Sequence, residues 1–551
     1  MEAYIRGLET KIPEIPIYKI LQSITTKFPN RVAIVSGSIF LSYKELLYNA
    51  YKFASYLFQI TKKGERICIA LPNSSEFAIA YYGTLIAGCV FVGCNPLLSE
   101  KTTLYILNDS EASFLITWSK KAEKILKDFK GEIIVTDEKI QNSVLFKETL
   151  KEKIEDVPAK INPRKDIAHI LYTGGTTGIP KGVMLTHYNV TANIFQGYIH
   201  NIGTEPKLYD DNIEFLCDEK NYREDWDYPI RLGLERVLVI SPWTHSMGIT
   251  SWLNQPISWG ATIYILDKFE PMIFLQLIKK ESITVTGGSP TVVAKIMTFP
   301  SWWEYIKDIR MWFSGASPLY PNLFYALQNA INGVVVEGYG LTEASPGVSR
   351  NPSNRSGIRK PGSVGIPYPN TEIKIVDENG NTLERGEVGE ILVKGPQVMK
   401  GYWKKPEETK EVLENGWLRT GDLGKIDKDG YLYVEDRVKD VIKYKGYSIY
   451  PRKIEGLMNS HPSVEMSAVV GEKDETFGEI PVCFVVLKKG VQITERELMD
   501  FVNKNLEFYE KVRKIIIVDS LPISEVGKIL KRELRNKLTK SVKSERYEEK
   551  R

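Results

Sequence analysis

Tyr172-Thr-Gly-Gly-Thr-Thr-Gly-Ile-Pro-Lys-Gly182 is the stretch on which the reading of this chain turns. It follows the apolar run Ala168-His-Ile-Leu-Tyr172, which reads as a strand. Glycines let the backbone turn tightly there. The N–H groups around Gly174 and Gly175, with the hydroxyls of Thr173, Thr176 and Thr177, then suit a ring of phosphate oxygens, and Lys181 adds a positive charge. The spacing GxxxxGK[ST] cannot be placed on the segment in any register, which excludes a P-loop ATPase.

Outward from this turn, short β-rich runs alternate with helical patterns. RVAIVS near the start is followed by a helix from Ser42, where Ser42 and Glu45 form a capping box, and then by ERICIAL. FLIT, GEIIVT, VLVIS, ATIYIL, ITVTGG and IRMWFSG continue the series, which predicts layered α/β subdomains with mostly parallel sheets. From about Thr371 the strands crowd together (EIKIVD, GEILVKG, YLYVED), as in a smaller β-rich subdomain. After Asp436-Arg437 a small α+β unit is expected, so the chain divides into residues 1–436 and 437–551.

Composition narrows the function. At 551 residues the chain exceeds one ordinary domain, and 73 basic against 69 acidic side chains leave no basic surface of the kind a nucleic-acid binder needs. The five cysteines, at 68, 89, 94, 217 and 483, form no CxxC pair, which argues for free thiols in a reducing cytoplasm and against zinc. The N-terminal residues carry charges and prolines where a signal peptide needs an apolar core. The uncharged run between Glu76 and Glu100 is long enough to span a bilayer, but Gly83, Gly88, Gly93 and Asn95-Pro96 divide it into a buried helix and a buried strand, so no transmembrane segment is expected. An acidic stretch, Glu205 to Asp227, reads as a solvated surface loop, with a lid or an oligomer contact as the alternative.

The glycine- and threonine-rich turn resembles the phosphate-loop signature of the adenylate-forming superfamily, which holds acyl-CoA synthetases, peptide-synthetase adenylation domains and luciferases. Further segments resemble that family in its order: Ser314-Gly-Ala-Ser-Pro318, Glu337-Gly-Tyr-Gly-Leu-Thr-Glu343, Gly389-Glu390, Gly401-Tyr-Trp403, Thr420-Gly-Asp422, Asp436-Arg-Val-Lys-Asp440 and Gly527-Lys528. The resemblance implies ATP, Mg²⁺ and coenzyme A. It places Gly315, Ala316, Ser317, Glu337, Gly338, Tyr339 and Gly340 around adenine, with Tyr339 offering a flat face. Thr342 and Glu343 fall to a phosphate oxygen and the metal, since Mg²⁺ prefers oxygen ligands. Asp422 falls to the ribose hydroxyls and Arg437 to ribose or phosphate. Lys528, on a mobile C-terminal domain, would bridge the substrate carboxylate and the phosphate. Rotation at a hinge, Lys439, would replace it with a face bearing Gly446 and Tyr447 that completes a tunnel for a pantetheine arm.

Ser241-Pro-Trp-Thr-His-Ser-Met-Gly248 resembles the family's segment beside the acyl pocket, with His245 at the usual histidine and Trp243-Thr244 in place of the commoner Leu-Phe. Trp243, Met247, Gly288 and Ala344 are the expected pocket walls. Ile523 and Ser524 stand where the family more often has a basic residue and Thr. The absence of an aspartate in place of His245 argues against amino-acid substrates. With no carrier domain in view, coenzyme A is the expected acceptor and a medium- or long-chain fatty acid the expected substrate. A short or hydroxylated acid such as 4-hydroxybutyrate, or a non-catalytic adenylate binder, are the alternatives, and Lys528, Glu343 and Asp422 speak against the last. The resemblance is closest to acyl-CoA ligases of archaeal type, cytoplasmic enzymes for which a homodimer is allowed.

Overall fold

The computed structural model describes residues 1–154, 159–173, 180–210, 212–315, 319–474, 476–523 and 529–538. Valine- and isoleucine-rich runs become the buried strands of two large, mainly parallel sheets, as expected where both faces of a sheet are covered. In one, Arg66–Ile69, Val90–Gly93, Ala112–Thr117 and Glu132–Val135 run parallel, and Ile167–Thr173 joins Val90–Gly93 in the same sense. In the other, Val32–Ser36, Thr262–Ile265, Arg236–Val239, Val285–Gly288, Met311–Ser314 and Val334–Gly340 are parallel neighbours.

The uncharged run is resolved as its glycines require. Helix Ser75–Ile86 ends before Gly88, which adopts φ +74°, and the buried strand Val90–Gly93 follows. That helix and His187–Ile202 are buried nearly all round, because one continuous apolar core joins them to both sheets. No helix among the described residues is long and apolar enough to cross a membrane.

The β-rich piece is an antiparallel sheet of Glu372–Val376, Gly389–Lys394, Leu413–Glu414, Trp417–Ile426 and Leu432–Arg437, which the N-terminal strand Tyr4–Arg6 completes. A separate sheet follows: Ile442–Tyr444, Tyr447–Ile449, Val464–Asp474, Gly478–Leu487 and Lys514–Ile517. Helices Pro451–Asn459 and Glu495–Asn503 pack on it, and a helix over 531–538 covers a second apolar cluster. Between the two sheets the chain makes one turn of 3₁₀ helix, Val438–Asp440.

The acidic stretch lies at the surface but is pinned to it. It forms a small hairpin, Lys207–Tyr209 with Asn212–Glu214, whose Ile213 N–H donates to Ser23 Oγ at 3.1 Å. Phe215 packs on Tyr198, and Trp226 is clamped between the guanidinium groups of Arg310 (4.3 Å) and Arg355 (4.0 Å). The described charged side chains of the stretch are exposed or half-buried while Ile213, Phe215 and Trp226 are buried. Trp226→Ala removes both stacking contacts and an aromatic core side chain, a loss of about 3 kcal/mol. Limited proteolysis should then cut within 205–227 faster than in the wild type; equal cutting would mean the hairpin alone fixes the segment.

Candidate active site

The carboxyl ends of three parallel neighbours, Val285–Gly288, Met311–Ser314 and Val334–Gly340, converge on one edge of the sheet, the usual place for a ligand in an open α/β fold. Gly315 N–H donates to Gly288 O at 3.3 Å, tying two of the ends together. A side chain at Gly338 would meet the Phe313 ring and Ser349 O, both at 3.1 Å, so glycine is what lets these strands approach.

Tyr339, half-buried near the end of its strand, donates its hydroxyl to Asp422 Oδ2 at 2.6 Å. The other oxygen of Asp422 lies 3.4 Å from Arg437 Nε, and Asp422 and Arg437 face each other across antiparallel strands. Tyr339, Asp422 and Arg437 are therefore one contact group, although they come from three segments far apart in sequence. Asp422 is only 8% exposed, and its backbone N–H donates to Thr420 Oγ1.

Glu337, two residues before Tyr339, is buried, and burial pushes its carboxyl up to about 7. Its Oε2 accepts from Gly362 N–H at 3.3 Å and its carbonyl from Asn351 N–H at 2.8 Å. After Gly340 the chain makes the short 3₁₀ turn Thr342–Ala344. Glu343 Oε1 there accepts from the Tyr402 hydroxyl at 2.9 Å, and burial again raises the carboxyl.

The phosphate-loop hairpin is framed by residues whose role the motif alone does not reveal. Strand Ile167–Thr173 returns as Lys181–Thr186 with Thr173 opposite Lys181; Gly174, Gly175, Thr176 and Thr177 lie outside the described residues. Gly401–Tyr402 adds a strand, and Trp403 N–H donates to Gly182 O at 2.7 Å. Asp109 secures both sides: its carboxylate accepts from Tyr172 OH (2.6 Å) and its carbonyl from Trp403 Nε1 (2.9 Å). Lys181 Nζ stands 5.1 Å from the centre of the Tyr402 ring, which itself holds Glu343.

Of the acyl-side residues, His245 Nε2 is 3.4 Å from Asn95 Nδ2, and Met247 Sδ is 3.6 Å from where a Cβ on Gly315 would lie. Gly288, at a converging strand end, and Ala344, in the 3₁₀ turn, are both buried, and Ala344, like Trp243, has no exposed surface. Trp243 departs from expectation. It has no exposed surface, packs edge-on against Phe77 at 5.6 Å, and so backs the site instead of lining it. The segment then continues as a π-helix, Gly248–Asn254, braced by Asn254 Nδ2 on Ile249 O, a feature no compositional signal announced.

Lys439 occupies the 3₁₀ turn between the two sheets, with burial and the neighbouring Arg437 holding its ammonium below the usual lysine range. Just before it, buried Asp436 accepts from Arg437 N–H and, at 3.0 Å, from Arg452 N–H at the start of helix Pro451–Asn459. A cavity of about 1300 Å³ opens here, lined by Arg437, Lys439, Arg452 and Lys531 among others. Gly446 (φ +85°) and Lys445 turn the hairpin that carries Tyr447, whose exposed ring stacks on Tyr509 at 4.6 Å. Ala316, Ser317 and Lys528 lie outside the described residues.

A Mg²⁺ site built by protein alone does not fit: among the described residues no three His, Cys, Asp or Glu side chains cluster. One buried carboxylate, Glu343, beside the Thr342 hydroxyl fits a cation shared with nucleotide phosphates, the common arrangement for this ion. Histidines 169 and 187, which are buried, and 200, which is half-buried, are pushed down to about 3 by desolvation and are neutral structural groups.

A family model described as AMP-binding enzyme matches residues 21–403, and one for the C-terminal domain of those enzymes matches 453–528. The chain belongs to the AMP-binding enzyme family. It is 36% identical to a long-chain-fatty-acid–CoA ligase of Bacillus subtilis (strain 168), over 96% of this chain and 95% of that one. It is 33% identical to 4-coumarate–CoA ligase 2 of Nicotiana tabacum, with 96% of each covered. Among solved structures, ATP-bound MatB from Rhodopseudomonas palustris is similar at 28% identity and a TM-score of 0.82, covering 95% and 99% of the two chains. The o-succinylbenzoate CoA synthetase of Bacillus subtilis, with its acyl-adenylate, is similar at 27% and 0.77, covering 95% and 98%. This AMP-binding enzyme is an adenylate-forming acid–CoA ligase that uses ATP, with coenzyme A as co-substrate.

Glu337 supplies a pH test. Its folded carboxyl titrates near 7, above the unfolded value of 4.5, so between those values the folded state holds a proton that the unfolded state has lost. Stability from this residue therefore falls as pH rises from about 4.5 to 7. Glu337→Gln should match the wild type in urea midpoint near pH 4 and exceed it at pH 8; parallel pH profiles would show that Glu337 ionises normally.

Proposed function

We propose that the protein joins a carboxylic acid to coenzyme A in two steps at one site, residues 1–436 binding nucleotide and acid and residues 437–551 turning between two orientations. The observation that carries this reading is the contact group of Tyr339, Asp422 and Arg437 at the open ends of the strands. It offers a flat ring for adenine beside a carboxylate for the ribose hydroxyls, with Glu343 one short turn further on.

In the first step an oxygen of the acid attacks the α-phosphorus of ATP; the bond to the bridging oxygen breaks and pyrophosphate leaves. Two anions must meet, so positioning and charge neutralisation dominate the barrier. Lys181, Thr173 and the following loop cradle the leaving phosphates, Thr342 donates to a phosphate oxygen, and Lys528 bridges carboxylate and α-phosphate. Glu343, with Thr342, would hold Mg²⁺ when the nucleotide is bound, and the ion would supply further neutralisation. In the second step the chain turns at Lys439, Lys528 leaves, and Gly446 and Tyr447 flank the pantetheine arm. The thiol sulfur then adds to the acyl carbon, AMP departs, and the thiol proton is lost.

A medium- or long-chain fatty acid is the first reading of the substrate, supported by the likeness to the Bacillus subtilis ligase and by the apolar, half-buried Met247. A short or hydroxylated acid is the second, favoured by Phe313. Its ring fills the space beside Gly315 and Gly338 that a long chain would need. A cytoplasmic location fits either.

AMP formation from ATP and Mg²⁺ with straight-chain acids from acetate to stearate, with and without coenzyme A, tests the proposal. AMP and acyl-CoA should appear together; no AMP and no trapped hydroxamate with any acid would leave only an adenylate binder. Lys528→Ala should slow adenylation on the order of 10²–10³ fold, while added acyl-adenylate is still converted to acyl-CoA. Equal loss in both half-reactions would remove the orientation-specific role of Lys528.

A further inference from the structure

Behind Phe313 lies a buried cation with no carboxylate to balance it. Arg350 is 3% exposed, sits opposite Gly338 across antiparallel strands, and holds its guanidinium carbon 4.4 Å from the centre of the Phe313 ring. Its Nη1 donates to Asn201 Oδ1 at 3.0 Å and its Nη2 approaches Met311 Sδ at 3.7 Å; the Tyr368 hydroxyl is its other polar neighbour. Among the described residues it has no ion pair. Removing an arginine from water costs several kcal/mol, which neutral acceptors offset only in part.

Two donors in this cluster are unused. Arg350 Nε and Asn201 Nδ2 are buried and have no hydrogen-bond partner among the described residues. On the far side of Phe313 the same holds for Trp252 Nε1 and Ser314 Oγ, with the Trp252 ring 6.2 Å from Phe313. Groups of this kind buried together point to a missing acceptor. A plain alkyl tail has none to give.

We propose that Arg350, with Asn201, forms the distal end of the acyl site and binds an acceptor oxygen at the tail of the acid, best a second carboxylate and less strongly a terminal hydroxyl. Phe313, stacked on the guanidinium, is the side chain that turns aside to admit it. This rests on the ligase reading above and replaces its plain fatty acid by an acid with a polar tail. The cluster is electrostatically prepared: His200, which accepts or donates at Ser353 Oγ and lies beside Arg350, is kept neutral and adds no second charge. A carboxylate arriving there exchanges water for two or more charge-assisted hydrogen bonds and relieves the buried cation.

The test compares, at matched chain length, methyl-terminated, ω-hydroxy and α,ω-dicarboxylic acids as substrates for pyrophosphate release by the wild type. The polar-tailed acids should be preferred in kcat/KM by roughly ten- to a hundred-fold, the scale of one or two charge-assisted hydrogen bonds. In Arg350→Met that ratio should collapse toward one, and in Arg350→Lys it should fall part-way, with thermal melting and ATP binding reporting that both variants fold. A wild type that prefers methyl-terminated acids at every length overturns the tail site and leaves the ligase standing, whatever the variants do. An unchanged ratio in a folded Arg350→Met overturns it equally. Inactivity with every acid, hydroxamate trapping included, would remove both readings.

Discussion

The hydrogen bond from Tyr339 to Asp422 joins the large parallel sheet to the antiparallel one. Tyr339 ends a parallel strand of the large sheet; Asp422 lies in the antiparallel sheet, 83 residues later. Each holds the other where neither would stay alone: a half-buried ring is fixed in plane by its hydroxyl, and a nearly buried carboxylate is satisfied by a neutral donor and a guanidinium. A charge in that position costs free energy unless it is hydrogen-bonded. The bond thus fixes the ring and the carboxylate side by side. Arg437, next to the turn that carries Lys439, makes the same carboxylate sensitive to whatever the C-terminal residues do.

That sensitivity has a second physical element. Asp436 accepts N–H groups from both Arg437 and Arg452, and Arg452 in turn donates to Val434 O. Tyr320, from the other side of the large cavity, accepts from Asn459 on the same helix. The helix beginning at Pro451 is therefore capped by a carboxylate that belongs to the preceding sheet. Burial raises the Asp436 carboxyl, and Lys531 together with the two N–H donors opposes that rise. The proposed turn at Val438–Asp440 would break these bonds together, which would favour two discrete orientations over a continuum.

Much of this was legible in the sequence because it is local. Strand–helix alternation named the layered fold, and the short signatures named Tyr339, Glu343, Asp422 and Arg437. What the sequence did not reveal are pairings across distance. Asp109 serves Tyr172 and Trp403, 63 and 294 residues away, and nothing in the residues near Asp109 marks it. Trp243 looked like a pocket wall because its neighbours resemble one, yet Phe77 draws it fully into the core. The acidic stretch looked solvated because its charges dominate the composition, while three spaced apolar residues hold it down. Arg350 is the clearest case. A charged residue at the end of a short strand normally faces water, and only the pairing of that strand with Val334–Gly340 turns it inward.

The position of Arg350 also bears on why the glycines gather where they do. Gly315 and Gly338 flank the Phe313 ring at 3.2 and 3.1 Å, measured from a Cβ that neither carries. Any larger residue at either place would push the ring onto the guanidinium or out toward Met247. Glycine at both places is what lets the ring sit where it does. In the proposed tail site this ring, stacked on the guanidinium, acts as a selective stopper. An apolar chain gains only the contact area of the ring, whereas an acceptor that displaces it reaches an unmet charge. Selectivity then comes from the free energy already stored in burying Arg350 without a counter-ion, and needs no further group on the wall.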